Sequence, residues 1–190
     1  TGVSFLLAQI GRDAGLKGQQ VLFKVWGGKP TTRRLRHRDS DNAHVLARRH
    51  QRLEALMGSM KLPTAHEEER DSEWADEKYE ACATFLREKT RDRKVFDLIF
   101  EENCNYGFRR NTWGLRPVGF FVSLVSLAAM IDFPLFQPAV LNDGRLGLLV
   151  IAETITFLLL AGWIFMVDPR WVRVAADAYA ERLLESCERL

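Results

Sequence analysis

Two acidic residues, Asp132 and Glu153, stand inside or beside the most apolar parts of the chain. The first apolar run reads VGFFVSLVSLAAMI from Val118 to Ile131 and continues past Asp132 as FPLF to Phe136. The second, Leu146 to Val167, is 22 residues long, and Glu153 is its one charged residue. A carboxylate in hydrocarbon is costly and marks an ion or proton pathway, or a partner, by default. In an antiparallel helical pair, Asp132 lies about five residues before the turn and Glu153 about eight after Arg145, at similar depth for a rise of about 1.5 Å per residue. Two such carboxyls can share a proton or attract a cation. The plainer reading ends the first helix near Ile131, leaving Asp132 wet and Glu153 protonated or bonded to a neighbouring helix.

Other chemical motifs fail on their own requirements. Gly27-Gly28-Lys29-Pro30-Thr31-Thr32 has the outline of a phosphate loop. A working loop needs a glycine where Phe23 stands and a hydroxyl residue where Pro30 stands. His37-Arg38-Asp39 matches a kinase catalytic loop in letters, but no DFG triplet or glycine-rich loop accompanies it. His50 and Glu54 share a helix face at i, i+4, with His44 and His66 nearby, yet no convincing ligand spacing completes a metal site. A solvated helix face accounts for them. No metal, cofactor or catalytic set is expected.

Arginine is concentrated in one block: Arg33, Arg34, Arg36, Arg38, Arg48, Arg49 and Arg52, against Asp39 and Asp41. An acidic block follows, with eight carboxylates from Glu67 to Glu80 against Arg70 and Lys78. The basic block has three readings. It pairs with the acidic block within or between subunits, lies on anionic headgroups, or binds an anionic ligand. Aromatics do not interleave with these arginines, which disfavours nucleic acid.

The elements that carry these residues read as helices throughout, with no strand pattern and no internal repeat. Asp41 caps AHVLARRHQRLEALM, whose face is Val45, Leu46, Leu53, Leu56 and Met57, and Gly58 ends it. Thr31 or Thr32 caps a short basic helix before it. Thr64 with Glu67 fits a capping box, and Ser72 starts a helix with Trp74, Tyr79, Cys82, Phe85 and Leu86 inward. A further helix over 94–111 turns Val95, Leu98, Ile99, Cys104 and Phe108 inward. Residues 111–117 then read as a joint, with Arg109, Arg110 and Arg116 at headgroup level. Gly11 to Gly18 reads as a second joint, and VLFKVW (21–26) as a brief strand or helix turn. Asp168-Pro169 starts an amphipathic helix with Val172, Ala176, Tyr179, Leu183, Cys187 and Leu190 on one face.

A bilayer core of roughly 30 Å needs about 20 helical residues. The expected class is therefore all-α: an integral membrane protein with a transmembrane hairpin at 118–167, its spans at 118–136 and 146–167. A helical domain at 11–117 and an amphipathic helix at 168–190 flank it. Residues 1–10, TGVSFLLAQI, read as the end of a further membrane helix or as an interfacial segment. Residues 11–117 carry 22 Lys/Arg and 17 Asp/Glu, a net of +5. Such loops stay in the cytoplasm, so the hairpin turn faces outward and the tail returns inside. The expected location is a bacterial-type inner membrane, multi-pass. Cys82, Cys104 and Cys187 show no paired spacing and read as free thiols.

At the level of layout alone, a short hairpin flanked by cytoplasmic helices resembles the membrane effectors of bacterial antiviral systems. That resemblance implies an oligomeric, ligand- or partner-gated pathway lined by Glu153 and Asp132. The other expectation is an accessory subunit of a larger membrane complex. A membrane enzyme has the least support. The partners expected are the lipid bilayer and either further copies of the chain or other membrane subunits.

Overall fold

The computed structural model describes residues 2–58, 60–136 and 146–190, with the backbone alone for Val3 and for 131–136. The expected hairpin turn at 137–145 lies outside the described residues. Every regular element among those described is helical. In chain order they are α1 (Gly2–Trp26), α2 (Pro30–Arg33), α3 (Ala43–Met57), α4 (Ala65–Arg70), α5 (Ser72–Lys89), α6 (Asp97–Phe136), α7 (Leu146–Phe165) and α8 (Pro169–Glu185), closed by a short 3-10 turn.

Local chemistry sets most of the boundaries. The Asn42 carboxamide accepts from the His44 and Val45 amides at 3.0 and 3.2 Å, so Asn42 caps α3 in place of the expected Asp41. Gly58, at φ +67°, supplies the left-handed residue that stops it. Thr64 and Glu67 form the reciprocal capping box of α4. Asp71, one residue before the expected Ser72, accepts from the Trp74 amide at 3.1 Å and starts α5. The Asp168 carboxylate accepts from the Trp171 amide at 2.7 Å, with Pro169 at the first helical position of α8. Helix α2 is shorter than the expected basic helix, and neither Thr31 nor Thr32 caps it; Lys29 precedes it with no side-chain cap.

Contacts divide the chain into two units. One is Thr1–Gly18 with Arg109–Val172, and the other is Gln19–Phe108 with Arg173–Leu190. The second unit has a conventional core. Leu35, Leu53, Leu62, Tyr79, Leu86 and Leu183 are buried together, with Ile99 packed against them. The expected faces of α3, α5 and α8 supply much of it, except that Trp74 and Leu190 are exposed. The expected face of the 94–111 helix is corrected. Val95, Leu98, Cys104 and Phe108 are exposed, while Phe96 and Tyr106 are buried. The inward stripe is Phe96, the half-buried Ile99 and Tyr106, and the expected set joined Ile99 to the opposite, exposed face.

The first unit is built on close helix approach. Two stretches read as joints are uninterrupted helix: 11–18 inside α1 and 111–117 inside α6. The run 21–26 is likewise part of α1, with Leu22 and Trp26 buried. Pro117 lacks the amide that would bond back to Trp113, but the helix passes through it. The glycines are contact points. A Cβ on Gly114 would lie 2.5 Å from the Ala14 carbonyl carbon and the Gly15 nitrogen, and one on Gly15 would strike Asn111. Gly11 faces Leu115 and Gly15 faces Asn111, so α1 and α6 run antiparallel at this crossing. Gly119 makes a similar approach to the Trp163 ring on α7. Small residues at such crossings allow backbones to touch.

Gly107, also in α6, would place a Cβ in open space. Gly107→Ala therefore raises stability by about 0.5–1 kcal/mol through the usual helix preference. Gly114→Ala, which meets backbone, lowers it by about 1–3 kcal/mol. Thermal unfolding of the two variants in detergent, with opposite shifts in Tm, checks the crossing.

Candidate functional site

The second unit contains a buried polar cluster centred on Glu68. The capping box turns the start of α4 so that Glu67 faces water and Glu68 faces inward, 2% exposed. One Glu68 oxygen accepts from the His37 amide at 2.7 Å and from the Tyr79 hydroxyl at 2.8 Å. The other accepts from the Arg38 amide at 3.3 Å, with the Arg38 guanidinium 3.9 Å away. Burial and this carboxylate push the Tyr79 phenol well above its ordinary range. His50 packs edge-on to His37, ring centroids 5.0 Å apart, and its Nε2 lies 2.8 Å from the Leu35 carbonyl. A carbonyl only accepts, so Nε2 carries the hydrogen. His37 Nε2 is likewise 3.0 Å from the Pro63 carbonyl.

His50 is thus buried, not on the solvated face expected for it. Burial pulls its pKa down from 6.5, against the opposing pull of the Leu35 carbonyl. Glu54 accepts from the Leu62 amide at 2.7 Å, which holds its carboxyl below the usual range. Among the described residues no group of three His, Cys, Asp or Glu side chains could hold a metal.

The basic block is largely consumed by bonds inside the same unit. Arg36 is 6% exposed and clamps Asp76 with two hydrogen bonds, at 2.7 and 2.5 Å, while also reaching Asp39 and the Gly27 carbonyl. Burial works against its charge, and Asp76 with Asp39 outweighs that and raises its pKa. A Cβ at Gly28, φ +135°, would collide with this guanidinium. Arg33 faces Asp39, and Arg38 faces Glu68 and Asp76. Arg34 and Arg49 share Glu181, Arg48 pairs with Glu188, and Arg52 donates to the Cys187 carbonyl at 3.0 Å. The acidic block supplies Glu68 and Asp76 to these arginines, and the C-terminal segment supplies much of the rest.

The residues expected at headgroup level gather in the first unit. Arg116 donates to the Trp163 and Ile164 carbonyls at 2.9 and 3.2 Å, satisfying the last turn of α7. Arg109 donates to the Trp171 carbonyl at 2.9 Å and lies over that ring. Arg110 bonds Asn111. Trp113 packs against Gly18. Glu153 lies partly covered on α7, one turn from Thr156, which contacts Met130 of α6. Among the described residues Glu153 has no ion pair. Asp132 is within α6, its side chain outside what is described.

Among the described residues the chain is thus all-helical, with two helices, α6 and α7, long and apolar enough to cross a bilayer. Comparison with protein-family models, curated proteins and solved structures finds no match.

Two outcomes follow for the polar cluster. Folding holds His50 neutral, with its pKa below the unfolded 6.5. The unfolded chain then binds the extra proton, so this contribution is complete above about pH 6.5 and fades as pH falls toward the folded value. Melting temperature falls from about pH 6.5 downward, and His50→Gln flattens that slope. Glu68→Ala strands two amides and a phenol in the interior and costs about 3–5 kcal/mol in denaturant titration, whereas Glu68→Gln, which keeps an acceptor, costs less.

Proposed function

We propose that the chain is a non-enzymatic integral membrane protein whose helical second unit receives a ligand or partner and transmits it to an oligomerising transmembrane hairpin. The observation that carries this reading is the surface of α7. None of its residues is buried. Ten of its large apolar side chains are exposed: Leu146, Leu148, Val150, Ile151, Ile155, Phe157, Leu158, Leu159, Ile164 and Phe165. Ordering a residue costs about 1–2 kcal/mol, and this helix buries almost nothing in return. Transfer of each such side chain from water to an apolar medium gains about 1.5–3 kcal/mol. Lipid supplies that medium on all sides at once.

Several features support the orientation. Residues 11–117 stay cytoplasmic by their excess of basic residues, and 168–190, which carries Arg170, Arg173, Arg182 and Arg189, returns to the same side, with Arg109, Arg110 and Arg116 beside Trp113, Trp163 and Trp171 at the headgroups. Residues 2–10 accompany the spans. The glycine crossing leads this segment alongside α6 beyond Leu115, and Phe5, Leu6, Leu7 and Ile10 are exposed. Helix α6, of 40 residues, contributes to both units. Glu153, with Asp132, is then the acidic lining of an ion or proton pathway.

An accessory subunit in a larger complex is the second reading. It is favoured by Val95, Leu98 and Phe108, which form exposed apolar surface on the second unit.

Carbonate extraction leaves the chain in the membrane pellet on either reading, and release into the supernatant defeats both. In liposomes, the pathway reading expects proton or cation flux that Glu153→Gln reduces by about tenfold or more, as removing the one charge in α7 should. Flux indifferent to that change favours the accessory role.

A further inference from the structure

A second concentration of positive charge lies at 87–94, where Arg87, Lys89, Arg91, Arg93 and Lys94 meet only Glu88 and Asp92. It is shorter than the 33–52 block and differs from it in its bonds. Asp92 is occupied as a turn residue, accepting from the Lys94 amide at 2.9 Å. Glu88 reaches Arg91 at 3.6 Å with both side chains mostly in water, where such a pair contributes little. Among the described residues, Arg87 and Arg93 have no carboxylate partner. The Arg87 guanidinium is steered by the Thr84 hydroxyl at 2.8 Å, which leaves most of its donors free. That of Arg93 lies over Phe100, 4.1 Å from the ring centroid.

The guanidiniums of Arg87, Arg91 and Arg93 line one cleft of about 270 Å³ between the end of α5 and the first turns of α6. Asn103, Phe100 and Tyr179 complete its wall, and no acid lines it. Other clefts of the unit do contain acids: Asp76 and Glu80 in one, Asp39, Asp41 and Glu181 in another. Guanidiniums match tetrahedral oxyanions with paired donors, and the amide of Asn103 adds a neutral donor. The size suits a small ligand better than a polymer.

We propose that the Arg87–Arg91–Arg93 cleft binds a phosphate-bearing anion, presented either by a soluble phosphorylated molecule or by a lipid headgroup. The site goes beyond the membrane reading and stands independently of whether the hairpin conducts.

The test is calorimetric titration of the full chain in zwitterionic nanodiscs at low salt, with sodium pyrophosphate and separately with ATP. Saturable binding of at least one is expected. Arg91→Gln with Arg93→Gln weakens it by about tenfold or more, as expected on losing two charge-assisted donors. Arg48→Gln, outside the cleft, leaves it unchanged. A repeat in phosphatidylglycerol nanodiscs separates the sources. Competition there identifies the headgroup as occupant, and unchanged affinity identifies a soluble ligand. The proposal is overturned if neither probe binds saturably, or if binding survives intact in a triple Arg87, Arg91 and Arg93→Gln variant that melts at the parent temperature.

Discussion

The buried carboxylate of Glu68 is the constraint on which the second unit depends. A lone ionised carboxyl cannot be left in an apolar interior, so donors must converge on it. Those donors come from two places in sequence: the turn after α2, through the His37 and Arg38 amides and the Arg38 side chain, and α5 through Tyr79. Satisfying Glu68 therefore fixes α4 against α5 and against the turn that precedes α3. The histidines complete the arrangement by donating to the Leu35 and Pro63 carbonyls. Apolar packing of Leu35, Leu53 and Leu183 stabilises the unit without specifying which turn meets which helix.

Arginine performs a related service at helix ends. Arg36 bonds the Gly27 carbonyl just past α1, Arg52 the Cys187 carbonyl past α8, and Arg116 the final carbonyls of α7. The last turn of every helix leaves acceptors without intrahelical partners and carries partial negative charge. A long cation from elsewhere in the chain answers both needs and ties remote segments together. Arg116 does so between α6 and α7, where apolar side chains provide few other polar restraints.

What was legible in the sequence was local. Thr64 with Glu67, Gly58, and Asp168 before Pro169 identify helix ends because the competing hydrogen bonds lie within four residues. The apolar runs were equally plain, since a helix apolar on every side has one simple signature. The glycines misled. Gly11, Gly15 and Gly114 look like flexible joints in one dimension, but each missing Cβ makes room for a neighbouring helix, a fact visible only when the neighbour is known. Ion pairing was half legible. Arg36 and Arg38 find the acidic block that follows them, but Glu181 and Glu188 lie more than a hundred residues from Arg34, Arg49 and Arg48. The long run of arginine in 33–52 carries charges that are largely neutralised within the unit, whereas in the shorter 87–94 stretch Arg87 and Arg93 have no carboxylate partner among the described residues.

The three cysteines differ sharply in surroundings. Cys82 and Cys187 are fully buried, and burial pushes the Cys82 thiol up to about 12 and raises that of Cys187 as well. Cys104 sits exposed on α6. Thiolate is the reactive form, so alkylating reagents meet one accessible sulfur in the native protein. The chain thereby carries its own single-site attachment point for a fluorophore, on the same helix that runs on into the apolar segment.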